Sequence, residues 1–340
     1  MSGKTIIDDF WDNNPVAIRK FIDLMPIYKN LCEEVAYILE KAVIAEKINY
    51  SSISYRVKSV ASFCEKVKRK NYQNADEKVT DIAGVRIVYL YLSERNRLEK
   101  IIEREFAIIE KFDKIDPNTP DRFGYGALHY LIQIGKKSMG ARYDDLKDLV
   151  CEIQVRTILQ DAWANVAHHL SYKRESDIPK ELRRKLNALS GLFETADDQF
   201  DMLRKERVRY RDTVKRKISE KKEKYLLGDI NADNLIEFLK YKFPRRDDPD
   251  FSDINSLLSE LKRLGYMTFD ELDEIISRSE DAIKAYEEKY PPWDPETGDR
   301  CPFNTVGAVR AALTFINEKY RRTAKTLDRH SEFMHLVKNT

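Results

Sequence analysis

Val150-Cys151-Glu152-Ile153-Gln154-Val155-Arg156 is the stretch that decides the reading of this chain. A strand points successive side chains to opposite faces. Cys151, Ile153 and Val155 then go one way, an apolar set suited to a core. Glu152, Gln154 and Arg156 go the other way, a carboxylate, an amide and a guanidinium in one row. A solvated outer face with a cross-strand ion pair would explain such a trio if it stood alone. A structural strand seldom places it where the next helix should help cover the sheet. The chain then continues with helical character through Trp163, His168, His169, Tyr172 and Lys173.

Working outward, residues 82–92 (IAGVRIVYLYL) give the clearest strand signal, rich in β-branched and aromatic residues. Further strands are expected over 50–58, 106–112, 128–134 and 149–156, with helices over 59–70 and 94–105. Apolar positions at helical spacing over about 14–48 predict two helices broken near Pro26. Residues 113–126 read as a loop punctuated by Pro117, Pro120, Gly124 and Gly126. Strands interleaved with helices predict an α/β domain: a mixed β-sheet flanked by helices. After Arg156 the chain reads as all-α. Residues 179–227 form one long charged helix whose end, 204–224, is heavily basic. That run is read first as a solvated face and second as a surface for nucleic acid. Shorter helices follow around the turn at Pro291-Pro292-Trp293. The expected segments are therefore 1–178, 179–227 and 228–340. In the last, Cys301, His330 and His335 read as surface or packing residues.

Composition sets bounds on this reading. The 340 residues are 35% charged and 42% apolar, with 11 glycines and 11 prolines, which suits a helix-rich protein with real cores. A net charge of +2 means that any nucleotide site must come from local clustering rather than a global field. Cys32, Cys64, Cys151 and Cys301 are scattered with no CxxC pair, which argues against a zinc site or disulfide framework and fits a reducing, cytoplasmic setting. The acidic N-terminal stretch shows no signal peptide, and no apolar run is long enough to span a membrane.

Four local features converge. Arg56 and Lys58 share one strand face, and Ser62 and Lys66 follow at the spacing of one helix side. Cations, a hydroxyl and a helix N-terminus suit a polyphosphate, although surface lysines and arginines are most often merely solvated. Asp81 stands at the mouth of the apolar strand. It would serve as a cap there, or it would join Glu152 in holding Mg²⁺ through oxygen while substrate phosphates complete the shell. Arg86 shares a face with Gly84, whose missing side chain leaves room for a ligand. In Phe123-Gly124-Tyr125-Gly126-Ala127-Leu128-His129, two glycines free the backbone around an aromatic ring able to stack a base, and His129 leads into the next strand.

In that order, R-x-K-x3-S-x3-K, D-I-x-G-x-R, G-Y-x-x-x-H, E-I-Q-V-R-T-x5-W-A and H-x-x-x-Y-K, spread over 50–173, resemble the RelA/SpoT synthetase domain. The resemblance implies a nucleotidyltransferase-like fold and a (p)ppGpp-type pyrophosphokinase, which moves the β,γ-pyrophosphate of ATP onto the ribose 3′-hydroxyl of GDP or GTP. By position, Arg56, Lys58, Ser62 and Lys66 would hold ATP. Asp81 and Glu152 would bind Mg²⁺, and Glu152 would help deprotonate the attacking hydroxyl. Tyr125, with Arg122 beside it, would bind the acceptor. Arg86, His129, Gln154 and Arg156 would position substrates and neutralise charge. His168, Tyr172 and Trp163 are read as structural. Where members carry a lysine-rich loop before the Gly-Tyr motif, this chain has DPNTPDRFGY, acidic apart from Arg122. That departure brings in the toxic small synthetases, with adenine nucleotides or a tRNA 3′ end as alternative acceptors. With no His-Asp dipeptide and some fifty residues before the domain, the resemblance implies synthesis without hydrolysis. A non-catalytic nucleotide-binding module is the reading from a different class. A homo-oligomer and a regulatory role for 228–340, within the chain or through a partner, are both compatible with it.

Overall fold

The computed structural model describes residues 15–70, 81–113, 126–135, 138–170, 179–220, 229–293, 298–323 and 327–338. It divides into two compact units, Met1–Arg204 and Lys205–Thr340.

In the first unit, β1 (Tyr50–Val57), β2 (Ala83–Tyr89), β3 (Phe106–Asp113), β4 (Leu128–Ile134) and β5 (Cys151–Thr157) form one sheet of order β1-β2-β5-β4-β3. The β2–β5 pair is parallel and the other pairs are antiparallel, so the sheet is mixed as expected. Alternation decides its two faces. Ala83, Val85, Ile87 and Tyr89 of β2, Tyr130 and Ile132 of β4, and Cys151, Ile153 and Val155 of β5 enter one buried core. That core is closed by α1 (Pro15–Ala45), α2 (Val60–Lys70) and α3 (Arg95–Glu105), with the rings of Phe21 and Phe63 stacked 4.3 Å apart. Gly84, Arg86, His129, Glu152, Gln154 and Arg156 take the opposite face.

Pro26 does not break the first helix: α1 runs unbroken through it for 31 residues. Its buried side chains Ile18, Phe21, Tyr28, Leu31, Cys32, Val35, Leu39 and Val43 keep one face in phase across the proline. A proline inside a helix costs about 3 kcal/mol. Each fully buried Leu, Ile or Val returns about 1.5–3 kcal/mol, so this face outweighs the proline several times over. The strand expected over 82–92 stops at Tyr89, because residues 92–94 turn into a 3₁₀ segment that leads into α3.

After β5 come α4 (Ile158–Leu170) and α5 (Lys180–Ser219). The division between the two units falls inside α5. Its first part belongs with the sheet, where Asp201 accepts the Ser93 N–H at 3.0 Å and Arg204 pairs with Glu94. The second unit is helical, as expected. α6 (Ala232–Lys242), α7 (Phe251–Leu264), α8 (Phe269–Lys289) and α9 (Thr305–Ile316) enclose a core that includes Leu235, Phe238, Leu257, Leu272 and Leu313. Asn231 and Thr268 cap α6 and α8 with reciprocal side-chain bonds. His330 is a packing residue, buried with its ring stacked 4.3 Å from that of Tyr286. Three arginines of the basic 204–224 run are held in ion pairs: Arg204 with Glu94, Arg207 with Asp233 and Arg211 with Glu237.

Candidate active site

Strand register assembles the polar face into rows. Arg56 on β1 stands beside Gly84 on β2, and Gly84 beside Glu152 on β5. In the next row Ser54, Arg86, Gln154 and His129 follow one another across β1, β2, β5 and β4. Neighbouring strands lie about 4.8 Å apart, so Arg56 and Glu152 flank a trough about 10 Å wide with Gly84 as its floor. A Cβ on Gly84 would meet only the Arg56 carbonyl, at 3.8 Å, which makes that floor open space.

One hydrogen-bonded chain crosses these rows. His129 Nδ1 lies 2.7 Å from Glu152 Oε1, and the carboxylate, which can only accept, selects the tautomer with its proton on Nδ1. Gln154 Nε2 donates to Glu152 Oε2 at 2.9 Å, and Gln154 Oε1 accepts from Arg86 Nε at 3.4 Å. Arg86 Nη1 then donates to Asp161 Oδ1 at 2.9 Å, and Arg156 Nη1 reaches the same oxygen at 3.4 Å. Two guanidiniums therefore share one carboxylate oxygen. Arg156 is the more deeply buried, and burial together with the Arg86 charge lowers its pKa, while Asp161 opposes that. Two buried polar atoms of this hydrogen-bonded network, His129 Nε2 and Arg156 Nε, have no hydrogen-bond partner among the described residues. Unsatisfied buried polar atoms are costly, and two of them at one face mark a place where a polar ligand fits.

A second cluster lies at the start of β2. The Lys58 N–H bonds the Ile82 carbonyl at 2.8 Å, which extends the β1–β2 pairing and brings Lys58 beside Asp81. Lys58 Nζ lies 3.0 Å from Asp81 Oδ2, and Lys66 Nζ, from α2, lies 2.7 Å from Oδ1. Burial pushes the Asp81 carboxyl up, but Lys66 and Lys58 together outweigh it and hold the group below the usual carboxylate range. Ser59 caps α2, accepting the Ser62 N–H at 3.3 Å and donating to the Ser62 hydroxyl at 2.9 Å. Ser62 thus sits at the helix start with Lys66 one turn on, as the spacing predicts. Arg56 is exposed and makes no ion pair among the described residues.

Every expected site residue that is described falls into these two clusters or borders them. Tyr125 and Arg122 lie outside the described residues, as do Tyr172, Lys173 and the side chains of His168 and His169. Trp163 packs against Phe193 of α5 with ring centres 6.0 Å apart, in keeping with a structural role.

Asp161 was not singled out from the sequence. The signal that would have found it is Thr157-Ile158-Leu159-Gln160. Gln160 N–H donates to Thr157 Oγ1 at 3.0 Å, and Thr157 N–H donates to Gln160 Oε1 at 2.9 Å. This capping box fixes the first turn of α4, and the next residue on the same side is Asp161.

Asp81 and Glu152 offer the oxygen ligands that Mg²⁺ prefers. Among the described residues no group of three His, Cys, Asp or Glu is placed to hold an ion.

Comparison with known proteins bears on the same residues. Residues 55–177 match the family described as a region found in RelA / SpoT proteins. The GTP pyrophosphokinase YwaC of Bacillus subtilis (strain 168) is 27% identical over 209 residues, covering 60% of this chain and 94% of that protein. The GTP pyrophosphokinase YjbM of the same organism is 27% identical over 157 residues, covering 45% of this chain and 72% of that protein. Among solved structures, small alarmone synthetase 1 from Bacillus subtilis aligns at 24% identity with a TM-score of 0.47, over 55% of this chain and 97% of that one.

Proposed function

Residues 55–177 match the family described as a region found in RelA / SpoT proteins, and from that match we propose that the chain is a pyrophosphokinase transferring the β,γ-pyrophosphate of ATP to the ribose 3′-hydroxyl of GDP or GTP. The observation that carries the proposal is the trough between Arg56 and Glu152 over Gly84. On one side it has cations for a polyphosphate, and on the other a carboxylate whose two oxygens are aimed by His129 and Gln154.

The reaction joins the 3′-oxygen to the β-phosphorus and breaks the bond between that phosphorus and the oxygen bridging to the α-phosphate. AMP leaves with that oxygen. The hydroxyl proton passes to Glu152, a role within the usual reach of a positioned carboxylate base. Transfer of this kind asks mainly for alignment and charge neutralisation. Lys58 and Lys66 exchange Asp81 for the ATP phosphates, Arg56 closes on them from β1, and Ser62 offers its hydroxyl at the start of α2. Arg86 and Arg156, gathered on Asp161, face the charge that develops on the transferred group. Tyr125 would stack the acceptor base and Arg122 would help to bind the acceptor, roles assigned from the sequence motif. Mg²⁺, held by Asp81 and Glu152, would neutralise phosphate charge. The acidic run before Tyr125 favours a second acceptor class, an adenine nucleotide or the 3′ end of tRNA, for the same chemistry.

The test offers GDP, GTP, ATP and deacylated tRNA to the full-length protein with Mg²⁺ and ATP labelled on its γ-phosphate. Label on GDP or GTP is the expected result. Label on tRNA or ATP alone would replace the guanine acceptor while keeping the chemistry. ATP binding without transfer to any acceptor would overturn the reading.

A further inference from the structure

We infer that Asp197, on α5, is a positioning residue for the transfer reaction, acting through Thr157 and Asp161 on the Arg86–Arg156 pair. The inference rests on the pyrophosphokinase reading above and adds to it a residue that touches no substrate.

Asp197 is 3% exposed and Asp201 is 5% exposed, one turn apart on a helix whose other side carries the exposed Leu182, Leu189, Leu192 and Leu203. Burying a carboxylate is expensive unless its charge is used in hydrogen bonds. Asp201 uses its charge on the Ser93 N–H, which docks α5 on the turn after β2. Asp197 uses its charge differently. Its Oδ2 accepts the Thr157 hydroxyl at 2.5 Å, a short, charge-assisted bond.

A hydroxyl has one proton. With that proton committed to Asp197, the oxygen's lone pairs are turned toward the Gln160 N–H, and the capping box at the start of α4 is locked in one state. The first turn of α4 then has a single direction, and Asp161 is carried on it. Asp161 Oδ1 is the oxygen that both Arg86 and Arg156 reach. Two guanidiniums repel each other, and a shared carboxylate is what keeps them side by side in a partly buried site. The order of dependence is therefore Asp197, Thr157, Gln160 and the helix start, Asp161, and finally the arginine pair. Glu152, His129 and Gln154 stand on strand backbone, as do Arg86 and Arg156 themselves, whereas Asp161, which gathers the two guanidiniums, stands on the helix. What α5 sets is therefore the position of Asp161, and through it the spacing of the two guanidiniums.

Misplacing groups that stabilise a transition state costs about a hundredfold for an ångström. The experiment measures labelled pyrophosphate transfer by full-length Asp197→Ala, Asp197→Asn and Thr157→Val, alone and combined, with Tm recorded for each. Asp197→Ala is expected to lower kcat about tenfold to a hundredfold, with the KM for ATP changed less than about twofold. Asp197→Asn keeps an acceptor for the Thr157 hydroxyl and should recover most of that loss. In the Thr157→Val background, Asp197→Ala should cost almost nothing more, because residues acting through one path are not additive. Should Asp197→Ala fail to fold, the cycle is read with Asp197→Asn, whose smaller loss must likewise vanish behind Thr157→Val. An unchanged kcat in Asp197→Ala, or full additivity with Thr157→Val, would overturn the inference. A wild-type protein that binds ATP yet transfers nothing would instead remove the functional reading beneath it.

Discussion

Glu152 illustrates how much a single side chain can be asked to do. His129 and Gln154 aim its oxygens, and in the proposed reaction one of those oxygens takes the proton of the attacking hydroxyl. Glu152→Gln keeps the size and removes the base. The new amide would place an NH₂ opposite that of Gln154, so Gln154 must flip and give up its bond from Arg86, a loss of about 1 kcal/mol. Stability should fall by no more than that. Transfer should fall about 10²- to 10⁴-fold, the usual worth of a positioned base. Initial rates beside thermal melts check both halves, and near-normal turnover would remove Glu152 from the chemistry. At this scale the sequence is informative because alternation alone puts Glu152, Gln154 and Arg156 on one face. Periodicity does not mark Asp161, because the helix start after β5 is settled by a capping bond, whose signature is Thr157-x-x-Gln160.

Among the elements, the strands were legible and the helix ends less so. Strand β5 alternates between buried apolar and half-buried polar residues, and most of β2 does the same, so their pattern carries both existence and orientation, whereas β4 is buried on both faces. Helix α1 was misread at Pro26 because local propensity argues for a break, while burial on a face shared across it argues, with more energy, against one. Two glycines on the same sheet show how location decides the effect of one methyl group. A Cβ at Gly135 would lie 2.4 Å from the backbone oxygen of Glu105, where β4 meets the α3–β3 junction. Gly135→Ala must push backbone apart there and is expected to cost about 1–3 kcal/mol, the usual range for overpacking. Its kcat per folded molecule should be unchanged. Gly84→Ala meets no such barrier and should melt like the native protein. It raises the floor of the trough, so the KM for ATP should rise while Tm stays level. The reverse pattern, with Gly84→Ala unfolding and Gly135→Ala tolerated, would contradict the placement of both strands.

Among the described residues the molecule carries two hydrophobic cores, one of buried residues between Ile18 and Val155 and the other of buried residues between Val214 and Phe315. Each core lies within one unit, so calorimetry on the full chain should show two transitions. A ligand that binds only the folded first unit raises its stability by RT ln(1 + [L]/Kd), about 2.7 kcal/mol at a hundred times Kd. ATP should therefore move one transition and leave the other in place. Acid separates them in the opposite sense. In the second unit, Glu260 on α7 takes Arg310 of α9 at 2.8 Å and the Tyr320 hydroxyl at 2.8 Å. Burial raises the Glu260 carboxyl, but Arg310 and Tyr320 outweigh it, and its pKa in the folded chain lies below the usual glutamate value. A depressed folded value means that the stabilisation is present above the unfolded value, about 4.3 for glutamate, and disappears as pH falls through the lower folded one. At neutral pH, Glu260→Gln should lower the ATP-insensitive transition by an amount equivalent to about 1–3 kcal/mol. As pH falls through that lower folded value the native and Glu260→Gln transitions should converge, because protonation has already done to the native protein what the substitution does. If instead Glu260→Gln moved the ATP-sensitive transition, or the gap widened in acid, the assignment of that core to the second transition would fail.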